Sequence, residues 1–215
     1  MRRSAKLLNV ARRTIERKLL YLGQQAKIKN ELFQSNYKNV LSFQFDDLET
    51  IEHSKCKPLS VTLAVEYSTR KILGFEVSQM PAKGHLAKIA KAKYGKREDK
   101  RQEGIKKLLS RVKKMTVSNV RIDSDEHPYY LPIVKEQFPF GEYFQSKGAR
   151  GCIAGQGELK KLKWDPLFYL NHTCAMLRAN INRLIRKTWC TTKDAQRLID
   201  HLHIYMCYHN HFYLK

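Results

Sequence analysis

Acidic residues are scarce in this chain of 215 residues: 20 Asp+Glu stand against 41 Lys+Arg, a formal net charge of +21. An excess this large bears on the kind of partner. It fits a polyanion, because each Lys or Arg set on a phosphate releases condensed counterions. Long apolar runs are also missing. No stretch approaches the ~20 residues that a membrane-spanning helix needs. The first residues, Met1-Arg2-Arg3-Ser4-Ala5-Lys6-Leu7-Leu8, carry charge with no long apolar stretch behind it, which excludes a signal peptide. Cysteine is sparse and odd in number. Cys56, Cys152, Cys174, Cys190 and Cys207 show no Cys-x-x-Cys spacing, so they read as reduced thiols of a cytoplasmic protein rather than a disulfide framework. The pairs His53/Cys56 and His203/Cys207 are too isolated to define a zinc site. The glycines at 148, 151, 155 and 157 spell no phosphate-binding fingerprint and read as a loop.

What remains is enough for one sizeable domain with a small accessory segment. The hydrophobic share of 42% supports a packed core. Residues 1–30 are strongly basic, with Glu16 the only acid. Ala5 to Leu8 reads as a short helix, Asn9 as a tight turn in the left-handed region, and Ala11 to Leu22 as a second helix. Ile15, Leu19 and Leu22 define an apolar face of that helix. Arg12, Arg13, Arg17 and Lys18 lie on the basic side and are the candidate DNA contacts. The pair resembles the last two helices of a helix-turn-helix, whose second helix enters the major groove. The chain begins at the motif and leaves no room for a preceding helix. Residues 31–39 read as a linker, and residues 40–215 as the second domain.

Leu41 to Phe45 alternates apolar and polar residues as a half-buried strand does, and Asp46-Asp47 follow it. Ser60 to Tyr67 and Ile72 to Val77 add two strands around a turn at Ser68 to Lys71. From Lys83 to Lys114, thirteen Lys or Arg face only Glu98, Asp99 and Glu103. Such a run is a solvated helix face or a phosphate track. Val117 to Ile122 is a fourth strand, ending in Asp123-Ser124-Asp125. Asp165-Pro166 opens a long helix whose apolar stripe runs through Leu167, Leu170, Cys174, Leu177, Ile181 and Leu184. A last helix spans about Thr192 to Tyr208. The order predicts a mixed α/β domain with helices packed on a central sheet.

Carboxylates at strand ends in so basic a protein would repel the phosphates it binds, unless a divalent metal lies between them. Phe45-Asp46-Asp47-Leu48-Glu49-Thr50, Ser124-Asp125-Glu126-His127-Pro128-Tyr129-Tyr130, Asn171-His172-Thr173 with Leu177-Arg178, the basic run Arg183 to Cys190, and Tyr208-His209-Asn210 together resemble insertion-sequence transposases with a ribonuclease-H-like, acid-triad core. The resemblance covers about residues 40–210. It implies a ribonuclease-H-like mixed sheet flanked by helices, with a small helix-turn-helix-like segment in front. It also implies cleavage and strand transfer of element ends with Mg²⁺ or Mn²⁺. The partner would be double-stranded DNA, with a homo-oligomer forming when two ends are synapsed.

Within that pattern Asp46 is the first acid, with Asp47 as the alternative. Asp125 is chosen over Asp123 because a Pro and an aromatic follow closely. The third ligand is usually Glu, seven residues before a basic residue. Here Arg178 is that basic residue and Asn171 stands in place of Glu, so the implied set is Asp46, Asp125, Asn171 and Arg178. Glu158 and His172 are the alternative third ligands. His127 is a further candidate contact to DNA. Arg183, Arg186 and Lys187 are implied DNA contacts beyond the third position. A DNA-binding protein without catalysis and a structure-specific nuclease on the same fold are the alternatives.

Overall fold

The computed structural model describes residues 2–147, 165–185 and 190–214. Two helices lead the chain, α1 (Arg2–Leu7) and α2 (Arg12–Asn36). Asn9, at φ 48°, makes the left-handed turn between them. The second helix does not stop at Leu22. It runs unbroken to Asn36 and takes in residues 31–36, part of the stretch that read as linker. Its packing face is also different, because Leu22 is exposed and the buried residues are Gly23, Ala26 and Asn30. These small side chains let α2 lie close to the last long helix, α7 (Ala195–Tyr208). A Cβ on Gly23 would stand 2.8 Å from Cβ of Asp200 on that helix. Asn30 Nδ2 donates to the backbone oxygen of His203 at 2.9 Å.

A five-stranded sheet forms the centre, in the order β3-β2-β1-β4-β5. Its strands are β1 (Val40–Ile51), β2 (Pro58–Glu66), β3 (Ile72–Gln79), β4 (Thr116–Asp125) and β5 (Glu142–Ser146). The first three form an antiparallel meander, while β4 lies parallel to β1 and β5 parallel to β4. This is the ribonuclease-H-like mixed sheet expected from the sequence. The helices α3 (Leu86–Tyr94) and α4 (Arg101–Lys113) precede β4, and α5 (Tyr130–Gln137) follows it.

Two apolar cores sit on opposite faces. One gathers Phe43, Phe45, Ile105, Leu108, Leu109, Ile122 and Tyr130 beneath α4 and α5. The other gathers Leu48, Val61, Leu63, Leu170, Leu177, Leu198 and Leu202 beneath α7 and the helix α6 (Phe168–Asn180). That helix is shorter than its apolar stripe predicts. Ile181 is extended and a 3₁₀ turn (Asn182–Leu184) follows, yet Ile181 and Leu184 still reach the same core. Among the described residues, no helix is long and apolar enough to cross a membrane.

α5 and β5 have no counterpart in the sequence reading. β5 is a five-residue edge strand with no fully buried residue, so it shows no alternation to detect.

Candidate active site

Asp46 does not end its strand. β1 stays paired with β2 as far as Ile51↔Pro58, and Asp46 lies opposite Leu63. On its other edge β1 pairs with β4 at Phe43↔Ile122 and Gln44↔Asp123, where the pairing stops. Two residues further along both strands stand Asp46 and Asp125. Side chains alternate with period two, so these carboxylates are carried on one face of neighbouring parallel strands. Gln44 shares that face and ties it to α6. Its amide nitrogen donates to the Pro166 carbonyl at 2.7 Å, and its oxygen accepts the Leu170 N–H at 3.0 Å.

The electrostatics follow from this placement. Burial, and then the neighbouring charge of Asp125, push the Asp46 carboxyl up to about 7. Two groups work against this: Asp46 Oδ1 accepts the Asp47 N–H at 2.6 Å and the buried Tyr130 hydroxyl at 3.1 Å. Burial also raises Asp125, although the adjacent His127 favours its ionised form. Asp125 Oδ1 is buried with no hydrogen-bond partner among the described residues. Leaving a buried acceptor unpaired costs about 1–3 kcal/mol, so its presence calls for an explanation. Two facing carboxylates with such an oxygen fit a divalent cation, because hard oxygen donors are what Mg²⁺ takes.

Asp47 alternates to the other face, towards α4. Its Oδ1 accepts the Thr62 hydroxyl at 2.5 Å, and its Oδ2 is a second buried oxygen without a partner among the described residues. Burial raises its pKa, while Thr62, Ser60 and the guanidinium of Arg101 pull it down. Asp123 is spoken for, since Arg121 Nη2 donates to its Oδ1 at 3.0 Å. This leaves Asp125 as the free acid of the second cluster.

The third position departs from the pair. Asn171 is exposed on α6, and its Nδ2 donates to Asp165 Oδ2 at 2.9 Å. Asp165 Oδ1 meanwhile accepts the Leu167 N–H at 3.0 Å, at the start of the same helix. The α6 residue that senses Asp46 is Cys174, whose thiol is pushed up to about 12 by burial and then by Asp46, with Arg178 opposing. Arg178 thus lies on the same flank, exposed in the last turn. His172 Nδ1 faces Arg70 Nη1 at 3.1 Å. Glu158 lies outside the described residues. Among the described residues, no group of three or more His, Cys, Asp or Glu converges with metal-holding geometry.

The sequence reading did not anticipate Tyr130 as a partner of Asp46. Its signal was the aromatic pair Tyr129-Tyr130 just after the second acid. The Tyr130 ring lies 4.8 Å from Phe45 and 5.0 Å from His127, so the strand that carries Asp46 and the loop after Asp125 share one aromatic contact.

Among the candidate DNA contacts, Arg12, Arg13, Arg17 and Lys18 are all exposed on α2, with Arg12 Nε donating to Glu16 at 2.9 Å. Arg183 is placed differently from the exposed basic tail it was assigned to. It is half-buried, and its guanidinium donates to His201 Nδ1 at 3.1 Å and Thr192 Oγ1 at 3.2 Å. Arg186 and Lys187 lie outside the described residues.

The class of protein that this geometry defines is a mixed-sheet α/β domain with a half-buried carboxylate pair on its central parallel strands. No protein-family model and no curated protein matches the chain. Among solved structures, the catalytic domain of Mos1 mariner transposase is similar, with a TM-score of 0.40 and 11% identity over 91% of this chain and 89% of that one. A likeness that slight adds nothing to the site, which rests on the acids themselves.

Proposed function

We propose that the protein is a DNA transposase of an insertion sequence, cleaving element ends and joining them to target DNA with Mg²⁺ or Mn²⁺ as cofactor. The observation that carries this reading is the Asp46–Asp125 pair on adjacent parallel strands, both carboxyls raised by burial inside a chain of net charge +21. A bound divalent cation would supply charge neutralisation at the phosphodiester and an activated hydroxyl. The chain's own residues do the rest. Asp46 is held by Tyr130, and Asp125 keeps an oxygen free for a ligand. Arg178, exposed one helical flank away, draws the phosphate towards the acids. Asn171 supplies a third oxygen when its amide leaves Asp165. Double-stranded DNA is the partner, and two copies of the chain would be needed to synapse two ends, in the cytoplasm.

The deciding experiment is cleavage and strand transfer on element-end DNA by the purified protein, with and without Mg²⁺ or Mn²⁺. Asp46→Asn and Asp125→Asn should each abolish cleavage and leave DNA binding equal or tighter, since a negative charge beside phosphate is removed. Cleavage that survives in either variant removes that acid from the site. One observation favours a second reading, a DNA-binding protein without catalysis: the residue in the usual Glu position is a neutral amide already bonded to Asp165. Tight binding of element ends with no metal-dependent cleavage in the wild type would select it.

A further inference from the structure

The basic run from Lys83 to Lys114 divides into two parts with different fates. In α4 three of the five cations are taken up by ion pairs. Arg101 pairs with Asp99 at 2.6 Å, Lys106 with Glu136 at 2.7 Å and Arg111 with Glu76 at 2.7 Å. That helix buries Ile105, Leu108, Leu109 and Val112 and is held by the core. The other half, α3, is held by very little. It buries only Ala90, and Ile89 and Tyr94 are exposed alongside Lys88, Lys91 and Lys93. Among the described residues, Lys88, Lys91 and Lys93 pair with no acid. A nine-residue helix is not stable by its own hydrogen bonds, and like charges three apart on its surface, as at Lys88 and Lys91, repel. Neither core burial nor internal ion pairs offset the cost of forming this helix.

Beside it lies a cleft of 340 Å³, lined by Glu49, Thr50, Ile51, Lys55, Met80 and Lys83 among others. Lys83 Nζ sits 2.8 Å from Glu49, and Lys57 Nζ lies 4.7 Å from the Tyr94 ring centroid, joining α3 to the start of β2. The cleft is on β1, the strand that carries Asp46. Glu49 is three residues beyond that acid, about 10 Å along the strand at the usual rise.

We propose that α3 and this cleft form a phosphate-backbone groove that holds the DNA duplex beyond the C-terminal end of β1, about 10 Å along that strand from Asp46. The occupant follows from charge complementarity: Lys88, Lys91 and Lys93 of α3 pair with no acid among the described residues, and the cleft carries Lys55 and Lys83 at its wall, where Lys83 meets Glu49 and senses Asp99. The proposal rests on the transposase reading for its location and on the lysines for its chemistry.

The test uses the full chain carrying Asp46→Asn, so that binding is measured without cleavage, and a duplex of element-end sequence. Fluorescence anisotropy is recorded over a range of salt concentrations for this protein, for the added set Lys83→Gln, Lys88→Gln and Lys91→Gln, and for a control set of equal charge at and just beyond α4, Lys107→Gln, Lys113→Gln and Lys114→Gln, which are exposed and unpaired among the described residues but line no part of the cleft. The groove set should flatten the plot of log affinity against log salt by about 0.9 for each phosphate that is no longer neutralised, and the matching Lys→Arg set should restore the slope. The control set should leave the slope unchanged. An unchanged slope in the groove set, or an equal flattening in the control set, overturns the groove. Failure of the parent protein to bind the duplex at all overturns the transposase reading itself, so the two failures are distinguishable.

Discussion

Asp46 is the residue on which most of the proposed chemistry turns. Its folded-state carboxyl holds its proton up to about 7, against an ordinary value of 3.8. Between those values the folded chain carries a proton that the unfolded chain has released. Its contribution is therefore fully present below 3.8 and is lost as pH rises towards 7. Thermal melts of the wild type should show this fall, and Asp46→Asn should flatten it. Added Mg²⁺ above neutral pH should raise the melting temperature of the wild type but not of Asp46→Asn, because the cation relieves the repulsion from Asp125. A melt insensitive to Mg²⁺ in both proteins would count against a metal at this pair. Asn171 tests the third position. It is exposed, so a Glu there carries no burial cost. Asn171→Ala should lose most of the strand-transfer activity, and Asn171→Glu should keep or raise it at a lower Mg²⁺ requirement, read from a Mg²⁺ titration of the reaction rate. A Mg²⁺ requirement that Asn171→Glu leaves unchanged moves the third ligand elsewhere.

Among the elements, α6 has the most consequential attachment. Its first turn is fixed to β1 by Gln44, whose two bonds satisfy the Pro166 carbonyl and the Leu170 N–H. Gln44→Ala would leave the Leu170 N–H unpaired in a buried place and the Pro166 carbonyl in a partly exposed one, a loss of about 1–3 kcal/mol. The expected result is a lower urea midpoint, with strand transfer falling further than the stability loss explains, because Arg178 and Asn171 ride on the helix that has lost its anchor. Equal activity per folded molecule would show that α6 does not serve the acids. The last helix is attached differently. α7 is N-capped by Asp194, which accepts the Gln196 N–H at 2.9 Å, and its inner face meets both the sheet and α2.

At the scale of the whole molecule the charge excess dominates. If the proposed partner is DNA, basic residues at the N-terminus and on α3 should make the affinity fall steeply with salt. The four exposed cations of α2 offer a test of whether sequence is read there or DNA only attracted. Replacing Arg12, Arg13, Arg17 and Lys18 with Gln should reduce the preference for element ends over random duplex more than it reduces total affinity, measured by competition binding. An unchanged preference would place base reading elsewhere. Substitution is the cleaner test here, because α2 is one helix packed on α7, and deleting residues 1–29 would remove the part of it that carries the buried Gly23 and Ala26.

The sequence alone was enough for much of this. Alternation in Leu41 to Phe45 and in Ser60 to Tyr67 and the left-handed Asn9 made the meander and the turn legible, because each is a local pattern of period two or a single-residue preference, while the selection of Asp46 and Asp125 came from the family resemblance. Asp123 could be set aside on physical grounds only once its bond with Arg121 was seen. Other features depend on contacts between residues far apart in the chain. α2 runs past Leu22 because Gly23, Ala26 and Asn30 meet α7, a stripe too small and polar to read as a core face. The edge strand β5 exists because β4 offers it a ladder. Tyr130 reaches Asp46 across 84 positions, and Asn171 turns to Asp165 rather than to the acids. Residue type and spacing decided which groups could do chemistry. The pairing of β1 with β4 and the docking of α6 decided which of them meet, because proximity across a sheet is set by register and packing rather than by order in the chain.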